Sequence, residues 1–431
     1  MSPRSRLVVL LVAGALLAAG CGQKSGVAGT QTEAVGSGGG GGAPTDGESA
    51  PAQHEPGPDD TQGVTDEEII IGVHAPVTGA SPLRQDTFDI GKDIYWDYLA
   101  ESQPDSLGGR RARVVFRDDE FNPNRAVQVC REMVEQEGAF ILVGGGGADQ
   151  ITACAQYADE VGVPYFSAGV NQEGLEDLST YFALSLTYAQ QAALIVQRIQ
   201  DLELERIGVV VADTPSFQDG RDAFVDAAEE AELDIVADDS INKEAGQTEA
   251  LAEVQTLRDA DAEVVFVLTS PTVYLALAAA ARGQDYDPVF IGPGITSGLN
   301  VVLLAGCPNV ENGQFFSPFP QLDVIEELDP TYLTAYQQFG DGEPADDIGI
   351  ALWGLNKNIH LMLEATGEDL GRAALMNTVE GGEEFASGVY PPVSYAPGEP
   401  FGGTAAHLLA ANCDERQYDT EEEFVELSGG E

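Results

Sequence analysis

The chain has 431 residues, and its 72 acidic against 20 basic side chains give a formal net charge of -52. This length exceeds one ordinary globular domain and predicts two lobes. So negative a charge argues against nucleic acid as a partner and against docking of the protein surface on anionic lipid. The acidity is typical of a solvated surface suited to a salty habitat, since a cation-binding role would require clustered ligands.

Residues 1–20 have the pattern of an export signal. Two arginines precede an apolar stretch at residues 7–17, which is too short for a permanent membrane-spanning helix. Small residues then lead to Cys21, an arrangement that resembles the bacterial lipobox, in which the cysteine is acylated; a plain signal peptide is the alternative. Residues 21–65 are rich in Gly, Pro and acids without apolar periodicity, so we expect a disordered tether that holds the protein outside the cytoplasm by its lipid alone.

Short apolar runs then alternate with amphipathic segments. The first series of predicted strands is EEIIIGVHAP, RARVVFRDDE, AFILVGG and VPYFSAG. After a polar break, the second series is RIGVVVADT, DIVADDSI, EVVFVLTS and PVFIGPG. Helical segments separate these strands, and one of them has a clear beginning, with Asn122 as its cap and Pro123 at its first position. The alternation predicts an α/β fold with two doubly wound parallel sheets covered on both faces.

Four cysteines remain when Cys21 is set aside, and an even number in an exported protein predicts two disulfides. Cys130 and Cys154 lie on successive predicted helices, which right-handed crossovers place side by side on one sheet face. Cys307 would then pair with Cys413. Metal binding is the alternative, but no two of these cysteines stand two to four residues apart, as zinc sites usually require.

The segment GGGGADQ, residues 144–150, raises the question of what its glycines hold. The dinucleotide fingerprint G-x-G-x-x-G fails because Asp149 or Gln150 falls on its last position. A P-loop fails because Ala148, Asp149 and Gln150 stand in place of Gly-Lys-Ser/Thr. Two interpretations remain: a helix start whose free N–H groups favour the negative part of a small ligand, or glycines that only pack the helix tightly on its strand. We expect no cofactor.

The catalytic motifs that we sought are missing. In GITSG, residues 294–298, the serine stands one place too late for a nucleophile elbow, and the sequence contains no H-E-x-x-H. The acids of RDDE, residues 117–120, could do acid-base work, but such pairs arise by chance in a chain with 72 acids. We therefore expect that the protein is not an enzyme.

Several different motifs follow one another along the chain. The block VVFRDDEFNPNRAVQVCREMVEQEGAFILVGG joins a strand that ends in D-D to an N-P-x-x-A-V helix and a V-G-G turn, and VGVPYFSAGV, RIGVVVADTPSFQDG, EVVFVLTSP and PVFIGPG follow it. From about residue 66 to its end, the chain resembles the type I periplasmic binding proteins of the Leu/Ile/Val-binding family. These proteins are the extracytoplasmic receptors of ABC importers.

The resemblance implies two lobes joined by a three-crossover hinge, which close on a ligand by rotating together. The implied lobes are residues 66–186 with 313–386, and residues 187–312 with 387–427. The chain would be a monomeric, lipid-anchored receptor that delivers a small polar solute, such as an amino acid or an amide, to the importer's permease. A sensor or an orphan receptor of the same fold is the alternative.

Ligands bind at strand ends in such sheets, and the resemblance places candidate side chains there. Most amino-acid clamps of the family are changed, because Ala148 or Asp149 replaces a hydroxyl residue, Asn171 a threonine and Phe217 a tyrosine. Arg84 aligns with a ligand-facing position and could pair a carboxylate, or it could be a solvated loop residue. The expected ligand residues are Arg84, Ala148, Asp149, Gln150, Ser167, Asn171, Phe217, Thr269, Ser270 and Thr296.

Overall fold

The computed structural model describes residues 54–169, 171–294 and 297–427. The predicted signal peptide, Cys21, most of the predicted tether and Thr296 lie outside the described residues, so what the sequence predicts for them stays a prediction. Within the described ranges, no helix combines the length and hydrophobicity that a bilayer crossing needs.

The first sheet has five parallel strands. They are β1 (Glu68–Ala75), β2 (Arg111–Asp118), β3 (Ile141–Gly144), β4 (Tyr165–Ser167) and β5 (Tyr181–Ala183). Their spatial order is β2-β1-β3-β4-β5, with every pair parallel. Each position of β1 after Glu68 is buried, as expected for a parallel strand covered on both faces.

The second sheet has seven strands. They are β6 (Arg206–Ala212), β7 (Asp234–Ile241), β8 (Val264–Leu268), β9 (Val289–Pro293), β10 (Gly313–Ser317), β11 (Ala405–Asn412) and β12 (Gln417–Glu426). Their order is β12-β11-β10-β9-β8-β6-β7. Strands β6 to β10 are parallel, whereas β11 and β12 form an antiparallel edge. The predicted class, α/β with two mostly parallel sheets, is confirmed, and the antiparallel edge is an addition to it.

Helices cover both sheets. They are α1 (Gln85–Ser102), α2 (Pro123–Glu135), α3 (Ala148–Glu160), α4 (Tyr188–Asp201), α5 (Gln218–Glu230), α6 (Gln247–Asp259), α7 (Pro271–Gly283), α8 (Asn300–Gly306), α9 (Ile325–Leu328), α10 (Pro330–Phe339), α11 (Asp347–Thr366) and α12 (Arg372–Val379). The predicted cap of α2 is present, because the Asn122 side chain accepts hydrogen bonds from the N–H groups of Asn124 and Arg125. Helix α11 packs on α1, where Trp353 meets Tyr95 edge-on at 4.9 Å.

The chain passes between the sheets after β5, after β10 and before β11. Strand β10 pairs with β9 and β11 of the second sheet, although the implied boundary at residue 313 assigns it to the first lobe. The lobe boundaries therefore stay a prediction, with β10 moved to the second lobe.

The end of the predicted tether packs against helix α12. The Asp60 carbonyl oxygen accepts a hydrogen bond from the Arg372 N–H at 2.9 Å, and the Asp60 carboxylate accepts one from Ala373 at 2.9 Å. The buried guanidinium of Arg372 donates in turn to the carbonyl oxygens of Ala139 and Phe140. Residues around Asp60 are thus fixed to α12 and to the start of β3.

Both predicted disulfides are present. Cys130 of α2 is bonded to Cys154 of α3, and Cys307, at the end of α8, is bonded to Cys413, which follows β11. The potential ligand atoms of His74 and the first cysteine pair lie within 4.8 Å of one another, but both sulfurs are engaged in the disulfide and offer no thiolate to a metal.

Candidate functional site

A cavity of about 130 Å³ lies between the two sheets. Its walls come from the ends of β1, β3 and β4 on one side and from the loops after β6, β7 and β8 on the other. Most of its lining is apolar, including Leu83, Phe88, Phe121, Phe319, Leu352 and Leu355. The cavity therefore occupies the place where strand ends of open α/β sheets bind ligands.

The glycine turn lies directly on a buried pair of rings. His74 Nε2 and the Tyr165 hydroxyl are 2.7 Å apart, and His74 Nδ1 is 2.8 Å from Asp119 Oδ2; all three side chains are buried. A Cβ on Gly144 would overlap both the Tyr165 hydroxyl and His74 Nε2, and one on Gly145 would lie 2.9 Å from His74 Cε1. Only glycine allows this close approach of the backbone. The two interpretations of the turn are thus compatible, because the glycines pack on these rings and the helix after them lines the cavity.

Asp149, the second residue of α3, connects the two sides of the cavity. Its Oδ1 accepts hydrogen bonds from the hydroxyls of Thr214 at 2.6 Å and Ser216 at 2.9 Å, and its Oδ2 accepts one from Lys243 Nζ at 2.8 Å. The three donors follow β6 and β7 of the second sheet, whereas Asp149 follows β3 of the first. We call these four residues the Asp149 network.

Hydrogen bonding controls the charge of this network. Burial opposes ionisation of the Asp149 carboxyl, but the hydrogen bonds from Lys243, Thr214 and Ser216 outweigh it and hold its pKa below the ordinary value. Asp149 is therefore a carboxylate paired with a protein ammonium. Sequence reasoning missed Lys243, although it is one of only four lysines in the chain and stands just after a predicted strand end.

A second contact joins the two sides of the cavity, this time with the accepting carboxylate on the side of the second sheet. The carboxylate of Asp219, in the first turn of α5, accepts hydrogen bonds from the backbone N–H groups of Gln172 and Glu173. Both of these residues follow β4 of the first sheet. The described conformation is thus closed over the cavity at two points.

Six of the ten predicted ligand residues line the cavity. They are Ala148, Asp149, Gln150, Phe217, Thr269 and Ser270. The ring of Phe217 meets that of Tyr188 edge-on at 5.6 Å, and Ser270 caps α7 by accepting a hydrogen bond from the Val273 N–H at 3.4 Å. These positions are where the strand-end argument placed them.

Three other predicted residues lie outside the cavity lining. The exposed guanidinium of Arg84 pairs with Asp86, so the structure favours the solvated-loop interpretation of this arginine. Ser167 is bonded to the backbone of Gly169 at 2.9 Å. Asn171 donates to the Thr152 hydroxyl at 3.2 Å. Local polar partners therefore account for Arg84, Ser167 and the Nδ2 group of Asn171, whereas the buried Oδ1 of Asn171 has no partner among the described residues.

Two polar side chains at the cavity have no hydrogen-bond partner among the described residues. Gln150 is 2% exposed and Tyr188 is 6% exposed, and both line the cavity. Burial raises the pKa of the Tyr188 hydroxyl, so this group stays a donor. The first N–H groups of α3 lie beside Gln150 and have no side-chain cap, because the capping residue is Gly147. Among the described residues, this end of the cavity thus has polar groups without a hydrogen-bond partner.

Two mostly parallel sheets that face each other across a cavity at their strand ends define a two-lobed binding protein. Residues 68–409 match the family described as "Periplasmic binding protein", and the chain belongs to this family. The resemblance predicted from the motifs is confirmed. The family is one of substrate-binding proteins of transporters and not a class of enzymes.

The chain is also similar to proteins of related description. An "Amino acid binding protein" of Pseudomonas aeruginosa is 24% identical over 209 residues, which are 46% of this chain and 53% of that protein, so the match spans about half of this relative. A possible leucine/isoleucine/valine-binding protein from Rhodopirellula baltica superposes with a TM-score of 0.73 at 14% identity, over 82% of this chain and 96% of that one. A solute-binding protein from Rhodopseudomonas palustris, solved with 4-hydroxybenzoate, gives 0.71 at 17% identity, over 84% and 98%. At such identities the structural likeness establishes the fold.

Proposed function

We propose that the protein is an extracytoplasmic solute-binding protein that captures a small organic solute in the cavity and delivers it to the permease of an ABC importer. The observation that carries this proposal is the cavity itself, which both sheets line with their strand ends and which the Asp149 network closes. Closure of two lobes around a solute is the switching mode that such a receptor presents to its permease.

The walls of the cavity favour a solute with an apolar body. Aromatic and branched side chains surround most of the space, and three of its polar groups, Asp149, Thr214 and Lys243, meet at the start of α3. The solved relative that holds 4-hydroxybenzoate supports this preference, since a ring with a polar end has the same character. We therefore propose such a solute in place of the small polar amino acid or amide expected from sequence.

The proposed location belongs to the same function. Attachment of a lipid at Cys21 would hold the receptor at the outer face of the membrane, where the solute arrives and the permease lies. Mass spectrometry of the membrane fraction tests this part, because acylation adds a lipid mass at Cys21. A chain released unmodified after cleavage of the signal would contradict it.

Binding by the full-length chain is tested with a thermal-shift screen of aromatic acids, short branched acids, amino acids and amides. A solute at 100 times its Kd stabilises the native state by about 2.7 kcal/mol, so a hit raises Tm clearly. The solute is then recovered and analysed. Recovery of an unaltered solute supports a receptor, and its consumption would indicate an enzyme. If no solute shifts Tm, the proposal is refuted.

A cavity-filling variant shows whether a hit binds at this site. Ala351 lines the cavity, so Ala351→Trp should abolish the shift by occupying the space of the solute. Ala252, on the exposed face of α6, offers the matched control, because Ala252→Trp adds the same side chain away from the cavity. Equal binding by both variants would place the solute elsewhere.

A further inference from the structure

We infer that the cavity selects a solute with an apolar body and one hydrogen-bond-accepting end, a carboxylate or a carbonyl, and that it discriminates against solutes with an ammonium group. This inference rests on the proposed function and names the class of solute that it delivers. It rests on three features of the described residues: the pairing of Asp149, the polar end of the cavity and the volume of the cavity.

The first feature is that the ammonium group of Lys243 already pairs with the carboxylate of Asp149. Among the described residues that line the cavity, Asp149 is the only acid and Lys243 the only lysine or arginine. Lys243 Nζ lies 2.8 Å from Asp149 Oδ2, and two hydroxyls bond Oδ1. The charges of Asp149 and Lys243 therefore cancel. An ammonium group on the solute would have to displace Lys243 or be desolvated without a counter-charge, and either event opposes binding.

The second feature is the chemistry of the unused polar groups. Tyr188 offers a hydroxyl donor, Gln150 offers an amide, and the uncapped first turn of the 13-residue helix α3 offers backbone N–H groups with the positive end of the helix dipole. Tyr188 belongs to the same apolar cluster as Ala148, the first residue of α3, and both residues line the cavity. Donors that line one cavity suit an acceptor oxygen on the solute.

The third feature is size. The cavity measures about 130 Å³, close to the roughly 150 Å³ of an engineered apolar cavity that admits benzene. One six-membered ring or one branched chain of five or six carbons matches this space. The acceptor end of a solute of this size would bond to the donor groups described above. Such a solute requires no second charged group in the cavity.

The test uses pairs of solutes that differ only by an ammonium group. Phenylacetate is compared with phenylglycine, and 4-methylpentanoate with leucine, by calorimetry on the full-length chain. We expect the acid of at least one pair to bind about tenfold or more tightly than its amine-bearing counterpart. Phenylacetamide is added to distinguish a neutral carbonyl end from a carboxylate end. Equal or tighter binding of both amino acids would overturn the inference and leave the proposed function standing.

Substitution of Lys243 provides the converse test. Lys243→Met removes the ammonium and leaves Asp149 without its counter-charge, so the ratio of affinities should shift about tenfold or more toward the amine-bearing solute. Lys92→Met is the matched control, because Lys92 pairs with Asp93 on α1, away from the cavity lining. An unchanged ratio in a folded Lys243→Met protein would also overturn the inference. If this variant does not fold, Lys243→Gln replaces it, and the solute pairs on the unaltered chain decide the question independently.

The failure of the proposed function has a different signature. In that case no solute, with or without an ammonium group, binds the unaltered chain or raises its Tm. Failure of the inference alone requires measurable binding with the wrong preference. The two failures are therefore distinguishable in one set of titrations.

Discussion

Removal of the Asp149 side chain should open the protein. Asp149 lies at the start of α3, and its three donors, Thr214, Ser216 and Lys243, follow strands of the other sheet. The Asp149→Ala substitution breaks these contacts and leaves the backbone of α3 intact. Since the contacts exist only when the two sides approach each other, their loss acts on the balance between closed and open forms.

The size of the effect follows from the geometry. Hydrogen bonds to a charged group contribute about 1.5–3 kcal/mol each, and exposed ion pairs about 0.2–1 kcal/mol. The side chains of Lys243 and Asp149 are 41% and 21% exposed, so the ion pair takes the lower range. Two hydroxyl bonds at about 1.2 kcal/mol each, reduced for this exposure, and about 0.5 kcal/mol for Lys243 give about 3 kcal/mol. This difference shifts the closed-to-open ratio about a hundredfold.

Distances between spin labels on α2 and α6 measure this ratio directly. Labels at the exposed positions Arg131 and Leu251 report on opposite sides, and the solute-free Asp149→Ala protein should show longer distances than the unaltered chain. Asp86→Ala, which breaks an exposed pair with Arg84 outside the cavity lining, is the control and should change nothing. Identical distance distributions for Asp149→Ala and the unaltered chain would refute the reasoning.

Acidification should mimic the substitution. The Asp149 carboxyl has a lowered pKa in the closed form, so its contribution to closure is complete above the ordinary carboxyl pKa. That contribution is lost as the pH falls through the lowered pKa. We therefore expect the short-distance population to shrink at acid pH more steeply in the unaltered chain than in Asp149→Ala, which keeps only the Asp219 contact. A parallel pH response in both proteins would assign the effect to other groups.

Three further substitutions test the fold. Replacing Cys307 and Cys413 by serine releases a loop closed over 106 residues, which should cost about 5 kcal/mol in denaturant unfolding; an unchanged midpoint would contradict the bridge. Gly144→Ala should lower Tm because its methyl group overlaps the two rings beneath it, whereas Gly283→Ala, with open space around it, should not. Burial raises the pKa of Asp347 to about 7. The Asp347 carboxyl therefore ionises at a lower pH in the unfolded chain than in the folded one, and stability falls as pH rises from about 4 to about 7. Asp347→Asn should remove this part of the pH slope, and an identical slope would refute the assignment.

Most of the two sheets was predictable because parallel strands buried on both faces are continuous apolar runs. The segment EIIIGVHA is of this kind, and β1 is buried accordingly. The edge strand β12 was not found, because its sequence QYDTEEEFVE is acidic and most of its side chains reach solvent. Its pairing with β11 depends on a chain reversal near Cys413, which a pattern of hydrophobicity does not reveal.

The candidate site was predictable where it depends on strand ends and not where it depends on side-chain partners. Asp149 and Gln150 follow a predicted strand directly, and both line the cavity. Lys243 reaches Asp149 across 94 residues of sequence, a contact that only the tertiary fold creates. Arg84 points away because Asp86, two residues further on, pairs with it. This local pair explains why Arg84 does not line the cavity, although the resemblance to the family placed it among the ligand residues.

The glycine turn links these observations. Because Gly144 and Gly145 lie on His74 and Tyr165, α3 begins at the wall of the cavity, and its second residue reaches across to the other sheet. The same helix start therefore lines the cavity and holds the closed form. A solute that binds only this form has an apparent affinity proportional to the closed fraction. Asp149→Ala should thus weaken solute binding by up to about the hundredfold shift in closure, although in the proposed binding mode the solute contacts neighbouring groups and not Asp149 itself.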